Sequence, residues 1–275
     1  MIKLICTDID GTLVGEGNTA VKQEVFDVIL KLKAMGIHFA AASGRPVASV
    51  EKVFEPIKEK IFYITDNGSY IGSYRRELFI NGIERNLAFE VIEDIHRSCD
   101  CDVMICGRKH AYLERRSEYF IHRMIDLYHF DAEVMDDLLD VEDDILKISM
   151  FHQTDIAGIS APVFEKWRDR LQVMTSGACW VDIVGKSVNK GYAISVVQEA
   201  LNILPEETLV FGDQENDIEM MKCAAYSFAV ANAQPKVKAA ARFETDSYNE
   251  DGVLKVLKKL LYREVPFCFN DCEKR

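Results

Sequence analysis

Apolar residues recur along this chain in two alternating rhythms, short unbroken runs and stretches with helical spacing. Leu4-Ile5-Cys6 is a run of the first kind, ending at Asp8. A loop through Gly15 and Gly17 follows. Val21, Val25, Val28, Ile29 and Leu32 then mark one face of a helix over 20–35, which Gly36 is placed to stop. His38-Phe39-Ala40-Ala41-Ala42 is a second buried strand, running into Ser43-Gly44-Arg45-Pro46, where the proline suits the first turn of a helix over 46–55. Ile61-Phe62-Tyr63-Ile64 is a third strand, ending at Thr65-Asp66-Asn67-Gly68. Strand, helix, strand, helix, strand is the pattern of a parallel α/β sheet.

After residue 82 the rhythm changes. A helix over 85–98 leads into 102–106 and 111–114, which read as a hairpin around Gly107. A helix over 117–129, a strand from Ile145 to Phe151, a helix over 162–171 and two short strands between Gln172 and Val184 complete the stretch. Helices alternating with hairpins predict a separate α+β module, 83–185, inserted into a core made of 1–82 and 186–275. The parallel pattern then returns. Asn189 is placed as an N-cap with Lys190 in the first turn of a helix (Ile194, Val197, Leu201). Thr208 to Phe211 is a strand, Ile218, Met220 and Met221 mark a helix, and Ser227 to Val230 is another strand. Val253, Leu254, Val256, Leu257 and Leu260 define the last helix; 263–275 have no periodicity.

Composition narrows the class. At 275 residues with 48% hydrophobic and 28% charged, the chain is that of a soluble globular protein. Its 45 acids against 33 bases leave a formal charge of −12, which repels nucleic acid. No run reaches the roughly 18 apolar residues of a membrane helix. Two aspartates interrupt the first strand, unlike a secretory leader. The eight cysteines show no zinc spacing, and Cys268 and Cys272 are the only pair worth watching. The expectation is a cytoplasmic protein. The acids between Asp131 and Asp144 read as a solvated face or loop, and the six histidines show no ligand spacing.

The candidate chemistry lies at strand ends. Asp8 and Asp10, two residues apart, can face one site, and two acids held together repel unless a cation or proton lies between them. A bare Asp-x-Asp before glycine is equally well a solvated strand end and turn. Three further stretches change the balance, because ligands of open parallel sheets bind at the carboxyl ends of the strands. Asp8, Ser43 and Asp213 each stand at such an end and Lys190 at a helix N-terminus, so one crevice gathers them with Asp10, Asn216 and Asp217. Four carboxylates call for a divalent cation, and hard oxygen donors suit Mg²⁺. A hydroxyl, an ammonium and a helix N-terminus suit a phosphate. Together these are the parts of phosphoryl transfer.

The set Asp8-Ile-Asp10-Gly-Thr, Ser43-Gly-Arg, Lys190-Gly and Gly212-Asp-Gln-Glu-Asn-Asp217 resembles the four motifs of the haloacid dehalogenase superfamily. It is most similar to the Cof-type branch, whose large cap is inserted between the second and third motifs. The resemblance implies a Rossmann-like core with an α+β cap, and a Mg²⁺-dependent phosphatase acting through an aspartyl-phosphate. Asp8 would be the nucleophile, Asp10 the general acid and base, and Lys190 the catalytic cation. Asp8, Asp10 (through its carbonyl), Asp213 and Asp217 would surround the metal. Thr12, Ser43, Gly44, Arg45 and Asn216 are the candidate phosphate- or substrate-binding residues, while Asn67, Lys147, Trp180 and Asp182 are further candidates facing the crevice. The implied substrate is a small phosphorylated metabolite, with sugar phosphates first and pyridoxal phosphate or nucleotides behind. A sugar phosphomutase or a non-catalytic metabolite-binding protein is the alternative. By the same analogy the cap moves on hinges at 80–85 and 184–188.

Overall fold

The fold grows outward from Leu4–Thr7, four consecutive buried residues that form β1. The computed structural model describes residues 1–262; the tail 263–275, with Cys268 and Cys272, lies outside the described residues. After β1 come α1 (Gln23–Ala34), β2 (His38–Ala42), α2 (Val47–Val53), β3 (Phe62–Thr65) and a hairpin of β4 (Tyr70–Ser73) and β5 (Arg76–Ile80). The helical spacing of α1 buries Val25, Phe26, Val28, Ile29 and Leu32, and the chain turns at Gly36 with φ 85°. Helix α2 is shorter than the 46–55 of the sequence pattern. Pro56 has no N–H to continue an α-helix, and 55–60 run on as a 3₁₀ turn.

The inserted part contains α3 (Arg85–Ser98), β6 (Asp102–Gly107), β7 (Ala111–Glu114), α4 (Glu118–His122), β8 (Ala132–Met135), β9 (Ile145–Phe151), α5 (Ile156–Trp167), β10 (Leu171–Gly177) and β11 (Trp180–Gly185). The chain then returns to the first sheet with α6 (Lys190–Leu201), β12 (Thr208–Gly212), α7 (Ile218–Lys222), β13 (Tyr226–Val230), α8 (Pro235–Ala240), β14 (Phe243–Thr245) and α9 (Gly252–Tyr262).

Two sheets result, a Rossmann-like core and a cap. The core order is β14-β13-β12-β1-β2-β3-β4-β5; all pairs are parallel as far as β3, and β4 and β5 are antiparallel. The winding direction reverses around β1, between β2 and β12, which is where doubly wound sheets open a crevice. The cap order is β10-β11-β9-β6-β7-β8, antiparallel except for β7 beside β8. Period-two alternation gives the cap sheet two faces. Val103, Ile105, Ile148, Met150, Val181 and Ile183 pack with α3 and α5 in one apolar cluster. Met104, Ser149 and Asp182 stand in one cross-strand row of the opposite face, with Phe151 and Trp180 in the next row and Lys147 on the other side. Among the described residues no helix is long and apolar enough to cross a membrane.

Several expectations are corrected. The helix expected at 162–171 occupies Ile156–Trp167, because Asp155 caps it by accepting from the Gly158 N–H at 3.0 Å and Leu171 already belongs to β10. The helix expected over 117–129 breaks after His122 into a single π turn, Arg123–Leu127. The acidic run is not one solvated loop. Ala132–Met135 form β8, Leu138 and Val141 are buried, and Asp143 is buried, accepting from the Lys109 N–H and the Tyr112 hydroxyl. The β4–β5 hairpin, α8 and β14 are too short to announce themselves by periodicity.

Gly191, in the first turn of α6, fits directly against α7: a Cβ there would sit 2.5 Å from the Glu219 carbonyl oxygen. Gly191→Ala is expected to force α6 away from α7, costing about 1–3 kcal/mol by overpacking. A lowered denaturant midpoint with an unchanged slope checks this.

Candidate active site

Strand β1 delivers Asp8 to the carboxyl edge of the sheet, and the Asp8 N–H donates to the Phe211 carbonyl of β12 at 3.0 Å. Helix α6 begins at the same edge. Asn189 caps it, accepting from the Tyr192 N–H at 2.7 Å, and so fixes Lys190 as its first residue. The Lys190 ammonium donates to Asp8 Oδ1 at 2.6 Å and to Asp217 Oδ1 at 2.7 Å. All three side chains are buried. The other Asp217 oxygen accepts from the main-chain N–H groups of Asp213 and Gln214, at 2.8 and 3.0 Å, which folds the loop after β12 back on itself. Asp213 accepts from the Thr12 hydroxyl at 2.7 Å and from Gln214 Nε2 at 3.1 Å. Gly11 makes room for it: its φ is 78°, and a Cβ would lie 2.3 Å from Asp213 Oδ2.

The charges do not balance. Burial pushes the Asp8 carboxyl well above the usual range, Lys190 pulls it down, and Asp217, Asp213 and Asp10 push it up. Burial, then Asp217, push Asp213 up to about 7. Burial works against the Lys190 ammonium, yet Asp217 and Asp8 more than offset it and raise its proton affinity. Asp8, Asp213 and Asp217 each bring an oxygen within 4.8 Å of the others. Fully ionised, three carboxylates against one ammonium would leave two negative charges unmatched, which is why Asp8 and Asp213 hold protons more tightly, and the donors are hard oxygens. This donor set fits a divalent cation.

Asp10 sits apart from that trio. Its carboxylate forms a bidentate pair with Arg45, 2.7 Å from both Nε and Nη2, and accepts from the Gly17 N–H at 2.8 Å. Arg45 also donates to the Asn18 carbonyl at 3.0 Å and lies over the Tyr128 ring. Ser43 is buried beside them, its hydroxyl accepting from the Arg45 N–H. The turn after β3 docks here too: the N–H groups of Asp66 and Asn67 donate to the carbonyls of Arg45 and Ser43. Asp66 and Asn67 both have positive φ, 50° and 58°, a backbone cost typical of functional turns.

Side chains from the cap close over this edge. Lys147 donates to the Gly44 carbonyl and lies 3.5 Å from Asp66 and 3.7 Å from Asp182. Asn67 donates to Asp182 at 2.6 Å, Asn216 donates to Asn67 at 2.9 Å, and Ser149 donates to Asp182 at 2.6 Å. Burial drives the Asp66 carboxyl up to about 6, against the pull of Lys147. Gly44 is needed for the approach, since a Cβ would meet Asn67 at 3.2 Å and Asp182 at 3.4 Å. Between cap and core lies a narrow cleft of about 70 Å³.

Asp8, Asp10, Ser43, Gly44, Arg45 and Asn216 line the cleft, as do Lys147, Trp180 and Asp182. Lys190, Asp213 and Asp217 form its buried floor around Asp8. Two expected roles change. Thr12 directs its hydroxyl to Asp213 and holds that carboxylate, and its side chain does not line the cleft. Arg45 commits both faces of its guanidinium to Asp10 and Asn18, so its direct partner is the acid. Glu16, Met104, Tyr128, Phe130, Ser149, Ser176 and Gln214 also line the cleft and were not foreseen. Only Ser149, through the alternation in 145–151, and Gln214, within the 212–217 stretch, carried a signal in the sequence. Thr12→Val is expected to loosen Asp213 and raise the half-saturating concentration of an activating divalent metal about 10–100-fold, read by titrating the metal against activity and by isothermal calorimetry.

Comparison with known proteins agrees with this geometry. The haloacid dehalogenase-like hydrolase family profile matches residues 5–257. The chain is 28% identical over 267 residues to the 5-amino-6-(5-phospho-D-ribitylamino)uracil phosphatase YbjI of Escherichia coli K12, covering 97% of this chain and 98% of that protein. A crystal structure from Eubacterium rectale shares 35% identity and superposes with a TM-score of 0.82, over 94% of this chain and 99% of that one. The subclass IIB sugar phosphatase BT4131 has the same fold, at 23% identity and a TM-score of 0.82, over 94% and 98% of the two chains. With the family profile spanning nearly the whole described chain, this protein belongs to the haloacid dehalogenase-like hydrolases and is a phosphatase.

Proposed function

We propose that the chain is a Mg²⁺-dependent phosphatase of small phosphorylated metabolites, working through an aspartyl-phosphate on Asp8. One observation carries the reading. Lys190 bridges Asp8 and Asp217 beside Asp213, so that three carboxylates face a single ammonium directly beneath the cleft. Asp8, Asp213 and Asp217, with the Asp10 carbonyl, would hold Mg²⁺, which when bound neutralises charge between carboxylate and phosphate.

The remaining steps belong to this chain's own groups. Asp8 Oδ2, the oxygen that does not accept from Lys190, attacks phosphorus. The P–O bond to the alcohol breaks, and Asp10 gives the departing oxygen its proton. Water then attacks phosphorus, Asp10 takes the proton back, and the Asp8–phosphorus bond breaks to release inorganic phosphate. In the structure Arg45 and the Gly17 N–H hold Asp10 as a carboxylate, so Asp10 leaves that pair and takes up a proton as substrate binds, before the first transfer. Lys190 and Ser43 face the phosphoryl oxygens, and Lys190 offsets the repulsion between Asp8 and a dianion.

Residues 83–185 act as the cap that excludes water and sets the substrate. The cleft is narrow and roofed by cap side chains, which suits a small metabolite and excludes folded protein. The hydroxyl, amide and carboxylate groups of Ser43, Gln214, Asn216 and Glu16 suit the hydroxyls of a sugar or polyol phosphate next to the ester. The name of YbjI, a phosphatase whose substrate is a uracil bearing a phosphorylated ribitylamino chain, supports a polyol next to the ester.

Phosphate release from a metabolite panel is expected with Mg²⁺ and not after chelation. Asp8→Asn should abolish it, and Asp10→Ala should lower kcat by roughly 10²–10⁴-fold. Release that survives Asp8→Asn would refute the mechanism.

A further inference from the structure

The turn Asp66-Asn67-Gly68, after β3, reaches three of the stretches that carry the site and the cap as well. Its residues have positive φ, 50°, 58° and 103°. The Asp66 and Asn67 N–H groups donate to the carbonyls of Arg45 and Ser43. Gly68 packs on Asn189, the N-cap residue of α6, so closely that a Cβ there would sit 2.6 Å from the Asn189 carbonyl oxygen. The Asn67 side chain is fully buried; its Oδ1 accepts from Asn216 at 2.9 Å and its Nδ2 donates to Asp182 of β11 at 2.6 Å. The loop after β2, the start of α6, the loop after β12 and the cap sheet therefore meet on one turn.

This chain of hydrogen bonds has a direction. A carboxylate only accepts, so Asp182 takes an amide N–H from Asn67 and leaves the Asn67 carbonyl oxygen to face Asn216. Asn216 must then donate, and its own Oδ1 is left buried without a partner. A bare buried acceptor is unfavourable, so Asn216 does not adopt this orientation on its own account. Asp182 imposes it through Asn67. Asp182 is in turn fixed within the cap, where Ser149 donates to its other oxygen at 2.6 Å and the Lys147 ammonium lies 3.7 Å away, between Asp182 and Asp66. Lys147, Asp182, Asp66 and Asn67 are all buried, yet the seam they form is polar. An apolar seam would tolerate sliding, whereas these groups are satisfied in one register. Lifting the cap removes the acceptor that gives Asn67 its direction.

We propose that Asn67 is a positioning residue that transmits the seating of the cap to the 212–217 loop. With Asp182 in place, Asn67 holds Asn216, the chain neighbour of Asp217, in the one orientation that the bonds allow. With the cap lifted, Asn216 is released and the loop that carries Asp213 and Asp217 loosens. Asn67 does not itself line the cleft, and it acts through Asn216. The effect on turnover rests on the phosphatase reading, while the link from Asp182 to Asn216 stands on the hydrogen bonds alone.

Exchanging the polarity of the Asn67–Asp182 contact tests the proposal, with every variant assayed well below its melting temperature. Asn67→Asp sets a carboxylate against Asp182 and should lower kcat for a turned-over ester about 10²-fold, the loss expected of a displacement of roughly 1 Å, with KM changed less. Adding Asp182→Asn restores one donor and one acceptor at the contact and should recover most of that loss. Hydrogen exchange read by mass spectrometry needs no substrate. In Asp182→Ala, a change confined to the cap, the amides of 212–217 should exchange faster than in wild type. Asn67→Gly suits the positive φ and should speed the same amides, and adding Asp182→Ala to it should speed them no further. A kcat that the second substitution does not recover, or exchange in 212–217 that Asp182→Ala leaves unchanged, would overturn the coupling. If the wild type hydrolyses no ester, the phosphatase reading fails, and the exchange experiment still decides whether Asn67 links cap and loop.

Discussion

A lysine with no access to water holds this site together. Lys190 is 1% exposed and donates to two carboxylates from different strands, Asp8 after β1 and Asp217 after β12. Taking an ammonium out of water is costly, and removing one partner of such a buried group typically costs about 3–5 kcal/mol. The carboxylates around it nevertheless outnumber it, three to one. The fold therefore maintains a place that attracts cations at the point where its winding reverses, and everything else at the carboxyl edge is arranged around that imbalance. Thr12 and Gln214 hold Asp213, the Asp213 and Gln214 N–H groups hold Asp217, and Gly11 and Gly191 let the backbones come close enough.

The second carboxylate is held differently. Asp10 is only two residues from Asp8, yet its carboxylate turns to Arg45 and the Gly17 N–H, away from the trio. Separation of the two carboxylates follows from separate cations: an ammonium for Asp8 and a guanidinium for Asp10. Arg45 in turn lies under Tyr128 of the cap, and Lys147 reaches from the cap to Gly44. Cap and core thus meet in part at the loop that carries Ser43 and Arg45, which sets cap side chains beside the group that holds Asp10.

Much of this was legible in the sequence. Asp8, Ser43 and Asp213 each follow a short apolar run, and a parallel sheet brings such ends to one edge whatever the intervening residues. The cap was legible as a change of rhythm, and its sheet face could be read from the alternation of Lys147, Ser149 and Phe151 with Ile148 and Met150. The rest needed three dimensions. Thr12 and Arg45 have side chains that could have pointed at phosphate, and only packing shows that carboxylates claim them first. Tyr128 and Phe130 follow a π turn that no periodicity announces, and the α5 boundary depended on an Asp155 cap that competes with the stronger visual signal of Pro162. Asp143 hides in a run of acids whose other members are exposed.

The central claim is that Asp8, and no other residue, carries the phosphoryl group. Rapid acid quench of the enzyme with a turned-over substrate, followed by peptide mass spectrometry after reductive capture of the acyl phosphate, tests it most directly. The account predicts a single modified residue, Asp8, accumulating further in Asp10→Ala because hydrolysis of the intermediate is slowed. Label on a serine, histidine or another aspartate, or steady turnover with no covalent species in either protein, would contradict it.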